Sequence, residues 1–244
     1  MLTPKDIFGN ISGGRLLDVA TGSGSFIPFL MEGLKDYDEI IGIDTNERAA
    51  VAFKTNFKDQ QSVHFELMDA LSPGFPPGSF DTVCISNSLH HFEEPRAVLA
   101  QMLHLLRPGG HIIISEMVKD GQTETQQTHV LLHHWWAAID SLNGICHHET
   151  YNRQGIIDLT DDLGLEDIKL YDLADTSDDP KSQEIVQQLN KVIDMYMQRT
   201  GDYTELQNQG ETLRTRVSEI GFHSATTLVI TGVFSREYSQ DSSR

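Results

Sequence analysis

The sequence predicts an α/β fold in which a parallel sheet is covered by helices on both faces. Short apolar runs of strand length alternate with helix-compatible segments between Arg15 and Glu116. Strands and helices that alternate in this way form parallel βαβ units with both sheet faces buried. A chain of 244 residues can bury the core of one large domain. We therefore expect a single three-layer α/β/α domain over residues 1–244.

The individual elements follow from apolar runs and from turn residues. We predict strands over residues 15–19, 39–43, 63–67, 81–86 and 111–116. We predict helices over residues 25–35, 47–57 and 95–106. The prolines and glycines between residues 73 and 78 break any long helix between the third and fourth strands.

Residues 16–24 describe a strand, a tight turn and the start of a helix. A buried parallel strand reads as an apolar run, and Gly22 and Gly24 let the backbone turn sharply and approach a ligand. No third glycine follows, so the turn departs from the dinucleotide-binding pattern. Asp18 at the front of the turn would repel a phosphate but suits a cationic ligand or an amino group.

A second acidic residue ends the next predicted strand. The apolar residues 40–43 lead directly into Asp44, about twenty residues beyond the glycine turn. At this spacing an acidic side chain can bind ribose hydroxyls. The two features together indicate a nucleoside-bearing cofactor on an α/β sheet.

Composition excludes several other classes of protein. A formal net charge of −18 argues against a nucleic-acid substrate, whose phosphates need a basic groove. No apolar run is long enough to span a membrane, and the first residues lack the basic start and apolar core of a signal peptide. Cys84 and Cys146 are the only cysteines, which predicts a reduced, cytoplasmic protein rather than a disulfide scaffold.

Five ordered motifs across about residues 14–116 resemble those of the class I S-adenosylmethionine-dependent methyltransferases, in particular the ubiquinone/menaquinone-biosynthesis branch. They are the glycine turn, the acidic end of the second strand, and residues 65–70, 80–92 and 105–114. The resemblance implies a Rossmann-like sheet of seven strands in the order 3-2-1-4-5-7-6. It also implies that strands six and seven span residues 167–173 and 227–234, with strand seven antiparallel.

The resemblance further implies S-adenosyl-L-methionine as cofactor and S-adenosyl-L-homocysteine as product. Asp44 would hold the ribose diol, and Asp18 would lie near the methionyl ammonium or help to fix the turn by accepting backbone N–H bonds. Asp69 would contact the adenine edge or act only as a turn residue. The remaining predicted cofactor-binding residues are Ala20, Thr21, Gly22 and Gly24 in the turn, Thr45, Met68 and Ala70 around the adenine, and Ser86, Asn87 and His90 beside the methionyl group.

Two helical insertions depart from the minimal family pattern, at about residues 117–151 and 180–221, and the polar tail 235–244 is expected to fray. A helix projected over residues 128–142 shows two stripes, and we expect either a surface helix with its polar side in water or a lid over the acceptor pocket. We expect the second insertion to cover the sheet edge or to form a homodimer contact. The apolar stripe holds Leu131, Trp135, Ala138, Ile139 and Leu142, and the polar stripe holds His129, His133, Trp136 and Asp140.

The histidines offer candidate bases. A neutral imidazole suits proton transfer near pH 7, so His91 and His133 are weak candidates, although the His90–His91 pair could instead cap a turn and pack on a helix. His129 and His133 have the i, i+4 spacing of metal ligands, and His134, His147 and His148 lie nearby. Because neither Cys-x-x-Cys nor His-Glu-x-x-His is present, we expect no metal.

The sequence therefore predicts a methyltransferase that moves a methyl group to a small-molecule acceptor by direct in-line displacement. One alternative is a non-catalytic protein on the same fold that binds S-adenosylmethionine or, through its histidines, a metal. A nucleotide-dependent oxidoreductase is a weaker alternative, since the third glycine and a Tyr-x-x-x-Lys pair are missing.

Overall fold

The computed structural model describes residues 2–235, which form one seven-stranded sheet flanked by helices. The strand order is β3-β2-β1-β4-β5-β7-β6. Strand β7 runs antiparallel to both of its neighbours, whereas the other pairs are parallel. The predicted fold class and strand order are confirmed. The strands are β1 (Arg15–Val19), β2 (Glu39–Asp44), β3 (Val63–Leu67), β4 (Phe80–Ser86), β5 (Leu106–Met117), β6 (Glu166–Leu173) and β7 (Thr227–Phe234).

The helices cover both faces of the sheet and one of its ends. Sequence reasoning missed α1, which begins with a capping box between Thr3 and Asp6. The predicted frayed tail lies outside the described residues, apart from Ser235. The helices are α1 (Pro4–Phe8), α2 (Ile27–Gly33), α3 (Glu47–Asn56), α4 (Pro95–Leu105), α5 (Glu124–Leu142), α6 (Arg153–Asp161), α7 (Gln183–Met197) and α8 (Thr204–Glu219).

Two hydrophobic clusters bury the two faces of the sheet. Successive residues of β5 show the division, because Ile112 and Ile114 lie in one cluster and Ile113 lies in the other. Side chains along a strand point alternately to opposite faces, so an unbroken apolar run is what a sheet buried on both sides requires. The core therefore lies on both sides of β1, β4 and β5, and it holds the ends of these strands in place.

Two elements differ at their ends from the prediction. Strand β5 begins at Leu106, which pairs with Phe80, before the chain loops out and pairs again at His111 with Thr82. Gly109, with a φ of 78°, supplies the left-handed conformation for this bulge. Helix α2 begins at Ile27, two residues later than predicted, because the glycine turn extends further along the chain.

The two insertions pack on each other. Buried residues of α5, α7 and α8, including Leu132, Ile193 and Val217, form a hydrophobic cluster separate from the sheet. The Trp135 indole also donates a hydrogen bond to the Leu206 carbonyl at 2.9 Å. The second insertion contains the two helices α7 and α8. Within residues 2–235, no helix combines the length and the apolar character needed to cross a membrane.

Candidate functional site

The turn after β1 is held in a conformation that favours glycine. Ala20, Gly22 and Gly24 have φ values of 52°, 55° and 80°. A Cβ on Gly24 would lie 2.3 Å from the Phe57 ring, so glycine is required there by packing. A Cβ on Gly22 would meet nothing within 4 Å, so this residue borders open space. The turn therefore presents bare backbone where a ligand can approach closely.

Asp44 connects this turn to the end of β2. Its Oδ2 accepts a hydrogen bond from the Gly22 N–H at 2.9 Å, and its Oδ1 accepts one from the Asn46 N–H at 2.8 Å. Each carboxylate oxygen retains a further lone pair. Because the side chain is half-buried, these lone pairs can accept hydrogen bonds from the hydroxyls of a ligand.

Asp18 lies beneath the turn and is almost fully buried. Its two oxygens accept hydrogen bonds from the Thr21 hydroxyl at 2.6 Å and from the Cys84 thiol at 3.2 Å. Asp18 therefore fixes the turn through side-chain donors, and not through the backbone N–H groups expected from the sequence. Burial raises the pKa of Asp18 to about 6, against the opposing effect of these two hydrogen bonds.

A narrow crevice runs from the glycine turn along the ends of β2 and β3. Six of its eight lining residues were predicted to bind the cofactor, and Ile43 and Phe92 were missed. Phe92 closes the loop after β4 and could have been found as the large apolar residue that ends this motif. The crevice is lined by Ala20, Ile43, Asp44, Thr45, Met68, Asp69, Ala70 and Phe92.

The predicted adenine and methionyl positions also lie at strand ends. Asp69 accepts the Leu71 N–H at 2.9 Å through Oδ1, so it is a turn residue whose second oxygen is available. Asn87, with a φ of 45°, accepts the Met117 N–H at 3.0 Å and ties the end of β4 to the end of β5. These residues share the carboxyl edge of the parallel strands, where open α/β sheets bind ligands.

Glu116 is a buried acid that sequence reasoning missed. Its side chain is 0% exposed, and its Oε2 accepts the backbone N–H groups of Ser88 and Leu89 at 3.2 and 2.9 Å. Its Oε1 lies 2.6 Å from Nδ1 of His90, which is itself 1% exposed. The sequence contained one signal for Glu116, a single carboxylate at the end of an apolar strand. A carboxylate remains in a core only when it has hydrogen-bonding or charged partners.

Four histidines from distant parts of the chain, His90 among them, lie close together beside Glu116. We call His90, His91, His133 and His147 the histidine cluster. The His90 ring centroid lies 4.8 Å from that of His133 and 5.5 Å from that of His147. The Nε2 atoms of His133 and His147 are 3.4 Å apart. Burial is the largest cause that lowers the pKa of His133 to about 2, and the neighbouring histidines lower it further. The ring is therefore neutral at pH 7.

Asp140 anchors the cluster from α5. Its Oδ2 lies 2.7 Å from Nδ1 of His147 and 3.3 Å from the Tyr196 hydroxyl, and its Oδ1 lies 2.5 Å from Nη2 of Arg199. Asp140 therefore joins two parts of the first insertion, α5 and the segment that carries His147, to the second insertion.

The predicted division of α5 into two stripes is wrong. Leu131 and Leu142 are 38% and 39% exposed, whereas Asp140 is buried and His133 faces the histidine cluster. The projection assumed one buried face, but α5 packs against α8 on one side and against the cluster on the other. Of the two functions considered for this helix, the contacts favour a cover over the site rather than a polar face in water.

The predicted i, i+4 histidine pair does not form a site of its own. Nδ1 of His129 accepts the Ala225 N–H at 2.9 Å, and Nε2 of His134 bonds to the Thr150 hydroxyl at 3.0 Å. His148 is exposed, and its side chain contacts Cys146. His133 alone of the helix histidines joins His90 and His147, which approach from other elements.

Comparison with known proteins finds similarity over the first half of the chain. Residues 17–114 match the family described as methyltransferase domain. Over 112 residues the chain is 33% identical to demethylmenaquinone methyltransferase from Renibacterium salmoninarum, covering 46% of this chain and 44% of that protein. It is 31% identical to 27-O-demethylrifamycin SV methyltransferase from Amycolatopsis mediterranei, covering 44% of this chain and 40% of that protein. The matches thus span less than half the length of these relatives.

Solved structures agree on the fold. The cyclase SpnF superposes with a TM-score of 0.60 at 16% identity, covering 96% of this chain and 79% of that one. A phosphoethanolamine N-methyltransferase of Haemonchus contortus superposes with a TM-score of 0.54 at 17% identity, covering 92% of this chain and 50% of that one. The matched residues 17–114 carry the glycine turn and Asp44, and over this segment the chain is similar to the class I S-adenosylmethionine-dependent methyltransferases.

Proposed function

We propose that the protein binds S-adenosylmethionine and transfers its methyl group to a small-molecule acceptor by direct in-line displacement. The observation that carries the proposal is the hydrogen bond between Asp44 and the Gly22 N–H at 2.9 Å. It joins the half-buried carboxylate that lines the crevice to the bare backbone of the glycine turn, which suits a ligand with a ribose diol and an extended charged tail.

The residues present fit this cofactor. Open space at Gly22 leaves room for a ligand against the backbone, and Asp44 has lone pairs for two hydroxyls. Thr45, Met68 and Asp69 line the part of the crevice assigned to the adenine. The predicted methionyl contacts of Ser86, Asn87 and His90 remain part of the proposal. When bound, S-adenosylmethionine supplies an already activated methyl group, so the protein's work is alignment and exclusion of water.

Asp18 contributes charge beneath the turn. Because burial raises the pKa of its carboxyl group to about 6, the group is anionic at pH 7 and above. A buried anion that is held only by a hydroxyl and a thiol favours a cationic group nearby. We assign Asp18 to the methionyl ammonium, acting directly or through water.

The acceptor would lie under α5, where the histidine cluster approaches the loop that follows β4. His91 and His133 remain candidate bases, and His91 is the more exposed of the two. The low pKa of His133 makes it a weak base, since a general base works best with a pKa near the working pH. An acceptor thiolate would need no base. Relatives named for menaquinone and rifamycin methylation support a small organic acceptor.

Other expectations belong to the proposal as well. We expect one domain over the whole chain, with its insertions determining the substrate. A homodimer through the insertions and a cytoplasmic location are further expectations, and the unpaired state of both cysteines accords with a reducing compartment.

Calorimetric titration of the cofactor-free protein tests the cofactor. We expect saturable binding of S-adenosylmethionine and S-adenosylhomocysteine and none of NAD. Asp44→Ala should weaken S-adenosylmethionine binding by about 1–3 kcal/mol, because two hydrogen bonds to a charged acceptor are lost. Asp38→Ala is the matched control, since it removes an exposed carboxylate at the opposite end of β2.

The alternatives predict other results. If folded Asp44→Ala bound S-adenosylmethionine with unchanged affinity, Asp44 would not belong to the cofactor site. Binding of NAD alone would indicate an oxidoreductase. Tight binding of S-adenosylmethionine without turnover of any methyl acceptor would indicate a non-catalytic protein on the same fold.

A further inference from the structure

We propose that His90, His133 and His147 form a binding site for one divalent transition-metal ion of the zinc class. One ring nitrogen from each of the three residues lies within 4.8 Å of the other two. The 3.4 Å between Nε2 of His133 and Nε2 of His147 matches the separation of about 3.3 Å between two ligands of a tetrahedral zinc ion.

The orientation of two rings is already fixed for coordination. Nδ1 of His90 lies 2.6 Å from Glu116, and Nδ1 of His147 lies 2.7 Å from Asp140. A proton on Nδ1 that is donated to a carboxylate leaves Nε2 with a free lone pair. Metal-binding histidines almost always have such a partner, which sets the tautomer and the ring orientation.

Both carboxylates are themselves held by hydrogen bonds. Glu116 accepts two backbone N–H groups of the loop after β4, and Asp140 is bonded by Arg199 and Tyr196. The two acids outnumber the single guanidinium in contact with them, so the surroundings favour a cation.

The cluster also contains a buried nitrogen without a hydrogen-bond partner. Within residues 2–235, no group bonds to Nε2 of His90. Buried polar atoms are nearly always bonded, so such orphans require an explanation. For His90, whose side chain is 1% exposed, an ion at Nε2 supplies the missing partner. Neutral imidazoles are the protonation state that metal binding requires.

Three imidazoles leave a tetrahedral ion with one open position. If the proposed methyl transfer is correct, this position suits an acceptor hydroxyl or thiol, because coordination to such an ion lowers the pKa of the bound group. This assignment of the acceptor rests on the proposed function, whereas the metal site does not.

The test is metal titration of full-length protein that carries no polyhistidine tag and has been treated with a chelator. Calorimetry with Zn²⁺, and visible spectra with Co²⁺, should show one site and the absorption of a four-coordinate ion. Mg²⁺ should not bind there, since it prefers oxygen ligands. His133→Ala and His147→Ala should each weaken Zn²⁺ binding by about 100-fold or more.

His148→Ala is the matched control, because it removes an exposed histidine adjacent to His147 and should leave Zn²⁺ binding unchanged. Circular dichroism checks that each variant folds. The half-buried His133 provides the decisive variant if His147→Ala does not fold.

The metal site would be overturned if the wild-type protein bound neither Zn²⁺ nor Co²⁺, or if folded His133→Ala bound Zn²⁺ with undiminished affinity. Loss of binding in His148→Ala would also overturn it, since the ion would then lie on the surface. S-adenosylmethionine is titrated into the same metal-free protein. Its failure to bind would contradict the proposed function and leave the metal result standing.

Discussion

The crevice and the histidine cluster lie on the same edge of the sheet but consist of different kinds of chemical group. The crevice consists of backbone, small and large apolar residues, and the half-buried or exposed carboxylates Asp44 and Asp69. The cluster consists of imidazole rings backed by the buried acids Glu116 and Asp140. The loop after β4 joins the two, because the Ser88 hydroxyl donates to the Ala20 carbonyl at 3.3 Å.

This difference indicates that the crevice and the histidine cluster bind different kinds of ligand. The crevice offers close backbone approach and spare lone pairs, which suit a ligand that arrives and leaves. The cluster has its rings oriented in advance by buried partners, which suits a fixed structural or catalytic centre. Substitutions in one region should therefore affect one property while sparing the other.

The largest effect on stability should come from Gly24→Ala. The φ of 80° disfavours any side chain, and the new Cβ would lie 2.3 Å from the Phe57 ring. Strain and overpacking together should lower the free energy of unfolding by about 2–5 kcal/mol, as measured by urea denaturation. Gly22→Ala should cost about 1 kcal/mol, since its Cβ meets nothing, but should impair S-adenosylmethionine binding. Equal losses of stability in the two variants would contradict the ligand-facing role of Gly22.

Asp140→Asn should affect the histidine cluster and leave the crevice unaffected. It removes the charge that holds Arg199 and His147, so the free energy of unfolding should fall by about 2–3 kcal/mol, less than for a fully buried ion pair because Arg199 is 34% exposed. Affinity for S-adenosylmethionine should remain unchanged by calorimetry. Asp162→Asn, which breaks an exposed ion pair with Arg96, should change stability by less than about 1 kcal/mol. A large loss of cofactor affinity in Asp140→Asn would show that the regions are coupled.

Asp18→Asn should stabilise the unliganded protein at neutral pH while weakening the cofactor site. The pKa of Asp18 is about 6 in the folded protein and returns toward its ordinary 3.8 on unfolding, so the folded state binds more protons between these values. Stability conferred by this group is therefore lost as pH rises from about 4 to about 6. At pH 7.5 (about 1.5 pH units above the folded pKa) the variant should gain about 1–3 kcal/mol.

Thermal unfolding at several pH values measures this gain, which should disappear near pH 4. Asp38→Asn removes an exposed carboxylate just before β2, away from Asp18, and should not reproduce it. A pH-independent gain would show that burial of the Asp18 charge is not its cause.

The sequence allowed the crevice to be predicted because its residues lie within short motifs. Asp18, Asp44 and Asp69 each follow or end a recognisable strand, and parallel strands bring their carboxyl ends to one edge. The resemblance of these motifs to the family therefore named six of the eight lining residues as cofactor-binding candidates.

The cluster could not be predicted in the same way. His90, His133 and His147 lie on a loop, a helix and a connecting segment, and no spacing relates them. Their meeting depends on how α5 packs, and the projection of α5 misjudged which face is buried because it treated the helix as packed on one side. Glu116 was visible as an acid in an apolar strand, but its partners come from another strand's loop.

The smallest effect should come from Leu131→Gln on α5. Sequence periodicity placed Leu131 in the apolar stripe, yet the side chain is 38% exposed. The substitution should change the free energy of unfolding by no more than about 0.5 kcal/mol. Leu132→Ala, one residue further along and fully buried against α7 and α8, should cost about 2–5 kcal/mol. Urea denaturation of both variants measures the two losses of stability. If Leu131→Gln cost more than Leu132→Ala, the apolar stripe predicted from the sequence would be correct after all.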